Sequence, residues 1–161
     1  AEQDIDGIAI GGVAIGETKK EMKEQVGWVT PYLPEKLPCH LLGIGRIEDI
    51  AGFVRLGIDT FDCVEPTRLA RNGVVFQTLR LRSGQGGLAR IDLAKTKYLK
   101  DKNSIEKTCV CYTCVNFSLS FLHHLYKEKE LLGYYLATLH NLFFFEQFFK
   151  RLRQGITQDR M

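Results

Sequence analysis

Apolar residues recur along the first third of the chain in two alternating rhythms. Three short apolar runs, Gly7–Gly12 (GIAIGG), Cys39–Gly45 (CHLLGIG) and Ile58–Val64 (IDTFDCV), read as strands. Between the first two, Thr18–Leu33 reads as a helix: Thr18-x-x-Glu21 is a capping box, and Met22, Val26 and Val29 line one face. Between the second and third, Ile47, Ile50, Ala51 and Val54 form another helical stripe, which Gly57 stops. The order β-α-β-α-β predicts parallel strands joined by right-handed crossovers. The unusual residues gather at the strand ends: Gly11 and Gly12, Gly43 and Gly45, and Asp62. That is the face on which a parallel α/β barrel or a doubly wound sheet carries its chemistry, and strand-end glycines let a ligand reach the backbone.

After Val64 the rhythm changes. A glycine-rich stretch, Ser83–Ala89 (SGQGGLA), predicts a β-hairpin between Gly73–Arg82 and Leu88–Leu93. Tyr98–Glu106 reads as a polar connector. Two helices are expected at Asn116–Gly133 and Asn141–Arg153. The second repeats Leu142, Phe145, Phe149 and Leu152, widened by Phe144 and Phe148, which is the pattern of a core face.

Charge sharpens this picture. The net charge of +3 says little, but Arg68, Arg71, Arg80, Arg82, Arg90, Lys95, Lys97 and Lys100 stand against Asp92 alone over that stretch. A solvated basic face is one reading; a phosphate-binding surface, extended by Lys150, Arg151 and Arg153, is the sharper one. The 161 residues suit one domain with its own core. Ala1–Asp6 is polar and acidic, unlike an export signal, and the apolar run Leu142–Phe149 is too short to span a membrane. A reducing, cytoplasmic compartment without membrane association is expected, and there clustered cysteines bind metal rather than pair.

The clearest chemical signal is Cys109, Cys111 and Cys114 (C-x-C-x-x-C), followed after twenty-five residues by His140. Three thiolates and one imidazole fill the tetrahedron of a Zn2+ ion and leave no position for water, so such a site is structural. The plainer alternative is a set of reduced, buried cysteines beside a helix-capping histidine.

Four blocks then carry a resemblance: GGVAIGE at Gly11–Glu17, LLGIG at Leu41–Gly45, FDCVEPTRLARNG at Phe61–Gly73, and the cysteine–histidine set. Together they resemble the tRNA-guanine transglycosylase (queuine tRNA-ribosyltransferase) family. The resemblance implies a TIM barrel with an inserted zinc-binding subdomain, of which this chain corresponds to the C-terminal part. It implies a partial barrel over residues 1–72, the hairpin and zinc subdomain over 73–140, and a closing barrel helix over 141–161. It also implies exchange of the wobble guanine of tRNA for a 7-deazaguanine, with Asp62 as the nucleophile that forms a covalent aspartyl–ribosyl intermediate. Gly12 and Val13 would offer backbone groups to the base, Glu17 would orient that peptide, and Leu42 and Gly43 would line the pocket wall. Thr67, Arg68 and Arg71 fall on positions that grip an anticodon loop with a U-G-U context. Cys109, Cys111, Cys114 and His140 match the family's zinc ligands; His123 and His124 follow Cys114 too closely for that spacing.

In the family a valine at the place of Ile15 accompanies use of 7-aminomethyl-7-deazaguanine and a glycine accompanies queuine, so Ile15 points to the smaller base. Cys63 lies beside the nucleophile and is read as a small, buried side chain; Cys39 is read as core. Family members are homodimers that meet near the zinc subdomain, and they are more than twice this length. The family's general acid/base aspartate belongs to earlier strands without a counterpart here. A second reading is therefore a non-catalytic, zinc-stabilised tRNA-binding or dimerisation module.

Overall fold

The structure, a computed structural model, describes residues 4–80 and 86–158. They fall into two compact units. One runs through Glu65 and includes the chain from Gln154; the other is Pro66–Arg153.

In the first unit, β1 (Ile8–Ile10), β2 (Cys39–Leu41) and β3 (Thr60–Phe61) form a parallel sheet in that order, alternating with α1 (Lys19–Val29) and α2 (Ile47–Val54). This is the β-α-β-α-β unit read from the sequence, and the fold is α/β; three strands do not display the eightfold barrel that the resemblance implies. Thr18 caps α1 as expected. Its hydroxyl accepts from Glu21 N–H at 3.3 Å, and Glu21 Oε2 accepts from Thr18 N–H at 2.7 Å. That reciprocal pair holds the Glu21 carboxyl below the usual carboxylate range, through the Thr18 backbone first and its side chain second. Lys19 on α1 meets the buried Asp49 on α2 at 2.8 Å. The core beneath is Ile10, Val26, Leu41, Ile44, Phe53 and Ile58.

Strand pairing stops earlier than the apolar runs. Cys39–Gly45 contributes only three paired residues, because Gly43 turns at φ +72° and carries the chain away from the ladder. Gly57 takes φ +91° just beyond α2, as its stopping role requires. The stretch Ile58–Val64 is paired only at Thr60 and Phe61, which leaves Asp62 just past the ladder.

The second unit begins at Pro66, within α3 (Glu65–Arg71), a short helix that the sequence reading did not include. Only Pro66 and Ala70 on it are buried, too sparse an apolar pattern to register as periodic. An antiparallel pair follows, β4 (Val74–Arg80) with β5 (Gly86–Asp92), in the register Val74↔Asp92 to Arg80↔Gly86. The expected hairpin is present; residues 83–85 of its glycine-rich turn, like Arg82, lie outside the described residues. Then come α4 (Tyr112–Asn116), α5 (Leu119–Lys127) and α6 (Leu131–Thr157).

The helical register differs from the reading in two ways. Asn116–Gly133 is not one helix, because Lys129 adopts φ +57° and ends α5. The last helix begins at Leu131 rather than Asn141, so His140 and Asn141 lie within it. Leu119, Leu122 and Leu125 of α5 and Leu136 and Ala137 of α6 enclose Val75, Ile91, Leu93 and Ile105. Among the described residues no helix is long and apolar enough to cross a membrane.

One polar side chain joins three parts of this unit. Asn141, fully buried, accepts from Phe76 N–H at 3.1 Å and donates to Pro66 O at 2.9 Å and Val74 O at 3.0 Å. It thus ties α6 to the start of α3 and to the edge of β4. Asn141→Ala strands one donor and two acceptors in the interior; the expected loss is about 2–4 kcal/mol of unfolding free energy, read from the shift in denaturation midpoint.

Candidate active site and metal centre

Two groups of side chains carry chemistry, one in each unit. In the first, parallel pairing aligns His40 with Thr60. Side chains alternate along a strand, so Asp62, two residues beyond Thr60, projects to the same side as both. Asp62 Oδ1 accepts from Gly43 N–H at 2.8 Å and contacts His40 Nε2 at 3.1 Å, while His40 Nδ1 meets Thr60 Oγ1 at 2.8 Å. The Gly43 N–H, with the His40 ring second, keeps the Asp62 carboxyl below its ordinary range. Its side chain is 57% exposed, so an ionised carboxylate stands open at the strand end.

The glycines of this region have steric reasons. Gly43 can aim its N–H at Asp62 because it turns left-handed. A Cβ on Gly45 would lie 2.2 Å from Cys63 Cβ, so only glycine lets the loop after β2 pass beside the strand end after β3. Cys63 is half-buried, and burial, foremost, pushes its thiol up, which disfavours a thiolate there. Cys39 is buried and its thiol is likewise pushed up by burial.

The remaining residues of the expected base pocket sit on the neighbouring loops. Gly12 is exposed at φ +77°, and the Val13 side chain is buried in the core, so Val13 can offer a ligand only its backbone. Glu17 Oε2 accepts from Ile15 N–H at 2.7 Å and so orients the peptide between Ala14 and Ile15, not the Gly12–Val13 peptide expected from the sequence, because its side chain reaches back only two residues. Ile15, Gly16 and Glu17 border a surface cavity of about 500 Å3 together with Glu21, Gln25 and Trp28 of α1. Leu42 is half-exposed, and its side chain would lie 3.1 Å from a Cβ on Gly11, a close approach of the β1 and β2 ends. Thr67, Arg68 and Arg71 lie on α3, where Arg68 and Arg71, three apart, share an exposed flank.

In the second unit, Cys109, Cys111, Cys114 and His140 come together with one donor atom each, all within 4.8 Å of one another. His140 Nδ1 lies 3.9, 3.5 and 3.3 Å from the three sulfurs in chain order. Tetrahedral Zn2+ with bonds of about 2.3 Å to sulfur sets its ligands roughly 3.8 Å apart, so the cluster has the size of such a site. His140 Nε2 lies 2.7 Å from the Phe76 carbonyl. A carbonyl only accepts, so Nε2 carries the hydrogen and Nδ1 keeps its lone pair for a metal. Cys111 caps α4, its sulfur accepting from Cys114 N–H at 3.4 Å.

The ionisation of this group follows from crowding. Contacts with Cys109 and then Cys114 pull the Cys111 thiol down, whereas contacts with Cys109 and Cys111 push Cys114 up. Burial lowers the proton affinity of His140, but the Cys109 and Cys111 sulfurs and the Phe76 carbonyl outweigh it and leave the ring raised to about 9. Sulfurs and imidazole thus compete for protons that a divalent cation replaces. The donor set, its spacing and the fixed tautomer fit zinc, which, held by these four residues, would supply cross-linking and no reaction step. His123, one of the rival ligands, is buried instead against Leu93 O at 2.7 Å.

The family model of Queuine tRNA-ribosyltransferase matches residues 1–161. The chain belongs to that family. Proteins named Queuine tRNA-ribosyltransferase are similar to it throughout. One from Buchnera aphidicola subsp. Schizaphis graminum is 44% identical over 159 residues, 99% of this chain and 41% of that protein. One from Herpetosiphon aurantiacus is 42% identical over 160 residues, 99% of this chain and 38% of that protein. One from Vibrio parahaemolyticus is 44% identical over 156 residues, 97% and 39% of the two chains. The chain therefore spans about two-fifths of the length of these curated relatives.

The sequence reading of the transglycosylase family passed over His40, although the signal was there: with parallel strands, it stands level with the residue two before Asp62. Chelation or Cys111→Ala is expected to release about one zinc per chain and to lower the melting temperature of the Pro66–Arg153 unit. Metal analysis and calorimetry check both, and unchanged melting after chelation contradicts the site.

Proposed function

We propose that this chain is the nucleophile-bearing, C-terminal portion of a tRNA-guanine transglycosylase. The observation that carries the reading is Asp62: an open, ionised carboxylate at a parallel strand end, with Oδ1 tied to a backbone N–H and Oδ2 used by neither recorded contact. Oδ2 attacks C1′ of the wobble nucleotide, the C1′–N9 bond breaks, and guanine leaves with the bonding electrons, to be protonated by a donor outside these residues. The incoming 7-deazaguanine then attacks C1′ through N9, the ester C1′–O bond breaks, the carboxylate is restored and the N9 proton is lost. Splitting one displacement into two is what a positioned carboxylate does for an oxocarbenium-like sugar.

Gly12 and Val13 backbone groups, together with Leu42 and Gly43, are assigned to the base, and Glu17 holds the neighbouring Ala14–Ile15 peptide. Thr67, Arg68 and Arg71 are assigned to the U-G-U loop, where exposed guanidinium groups meet phosphates and base edges. One Zn2+ held by Cys109, Cys111, Cys114 and His140 secures the second unit. Self-association as a homodimer near that knuckle is supported by the exposed Val110, Tyr112 and Val115 and by the stacked rings of Phe117 and Phe121.

Exchange of labelled guanine into tRNA by the protein carrying this chain tests the reading. Asp62→Asn is expected to reduce labelling by about 10³-fold or more and to abolish any covalent protein–tRNA adduct on a denaturing gel. tRNA binding without exchange in the unsubstituted protein would instead establish a binding module. Ile15 predicts preference for 7-aminomethyl-7-deazaguanine; faster exchange of queuine overturns that assignment.

A further inference from the structure

We infer that His40 is a positioning residue for Asp62, holding one carboxylate oxygen so that the other is presented to the sugar. The inference rests on the transglycosylase reading for its catalytic consequence and on the strand geometry for the contact itself. An ionised carboxylate only accepts hydrogen bonds, so the 3.1 Å contact assigns the Nε2 hydrogen to His40 and directs it at Asp62 Oδ1. The same oxygen takes the Gly43 N–H at 2.8 Å. Two donors from different directions on one oxygen fix the plane of the carboxylate, whose terminal torsion is otherwise broad. Oδ2 is thereby left in one place, and a misplaced reacting atom is costly in rate.

Thr60 makes the arrangement tolerant of protonation. Its hydroxyl lies 2.8 Å from His40 Nδ1 and can donate to a neutral ring or accept from a charged one. In both states Nε2–H stays on Asp62. The strand register enforces this, since His40 and Thr60 are direct partners and Asp62 follows on the same side. The other ionisable groups around the strand end are Cys63, with Glu65 and Arg46 beside it. None of them contributes to the hydrogen bonds that His40 and Gly43 make to Asp62.

The test uses the full protein with His40→Phe, which keeps a ring and removes the donor, and His40→Gln, whose amide nitrogen restores it. Two quantities are read: kcat and KM for guanine exchange into tRNA, and the titration of the Asp62 carboxyl by carbon NMR. Gly43 and His40 both favour the ionised form, so removing His40 must move the Asp62 titration, and the acid limb of kcat, to higher pH. His40→Phe is expected to lower kcat roughly 10- to 100-fold with KM for tRNA little changed. His40→Gln is expected to recover most of the rate and return the titration. An Asp62 titration that does not move in His40→Phe overturns the contact. A moved titration with unchanged kcat overturns its catalytic use. Absence of exchange in the unsubstituted protein overturns the transglycosylase reading and with it that use, while the titration still decides the contact.

Discussion

The backbone of Phe76 is gripped from two consecutive positions on one helix. Asn141 takes its N–H and His140 its C=O, so the outer edge of β4 at Phe76 is satisfied by side chains of α6 rather than by another strand, while Glu106 takes the N–H of Thr78 further along. An unpaired strand edge is a liability in any small sheet, and covering it with buried polar groups removes that liability while fixing one rotamer of each. The consequence reaches the metal centre. The hydrogen bond that seals Phe76 O also chooses the histidine tautomer and turns Nδ1 toward the three sulfurs. Edge protection and metal-site assembly are thus one interaction viewed from its two ends.

The first unit solves a different problem, the exposure of a charge. Asp62 stands beyond the last ladder residue, where no neighbouring strand supplies donors as a matter of course. A left-handed glycine supplies one and a histidine from the adjacent strand supplies the other. Both stabilise the anion, which is the form that can act as a nucleophile. The nearby Gly45 matters for a steric reason: any side chain there would collide with Cys63.

Much of this was legible along the chain. The three strands, two crossover helices and capping box follow from period, glycine placement and a Thr-x-x-Glu spacing, all of them local rules. The cysteine triplet and its distant histidine were legible because soft donors at that spacing have few other uses. Helix α3 was not legible, since its buried face amounts to Pro66 and Ala70. Nor was the true start of α6, because Leu131, Leu132 and Tyr135 are apolar yet exposed and blur the stripe that buries Leu136 and Ala137.

By itself, then, the sequence determined the α/β rhythm, the carboxylate at a strand end and the metal-binding donor set, because each depends on residues whose chemistry or spacing acts within a few turns of chain. Only the tertiary structure decided which partners complete them: Thr60 and Gly43 flanking the His40–Asp62 pair, and Phe76 behind His140. Those choices depend on strand register and on the rotation of a long helix about its axis. A one-residue slip of the strand would turn the same side chains to the opposite face, and a one-residue shift of the helix would swing them about 100° around its axis; no local pattern records either choice.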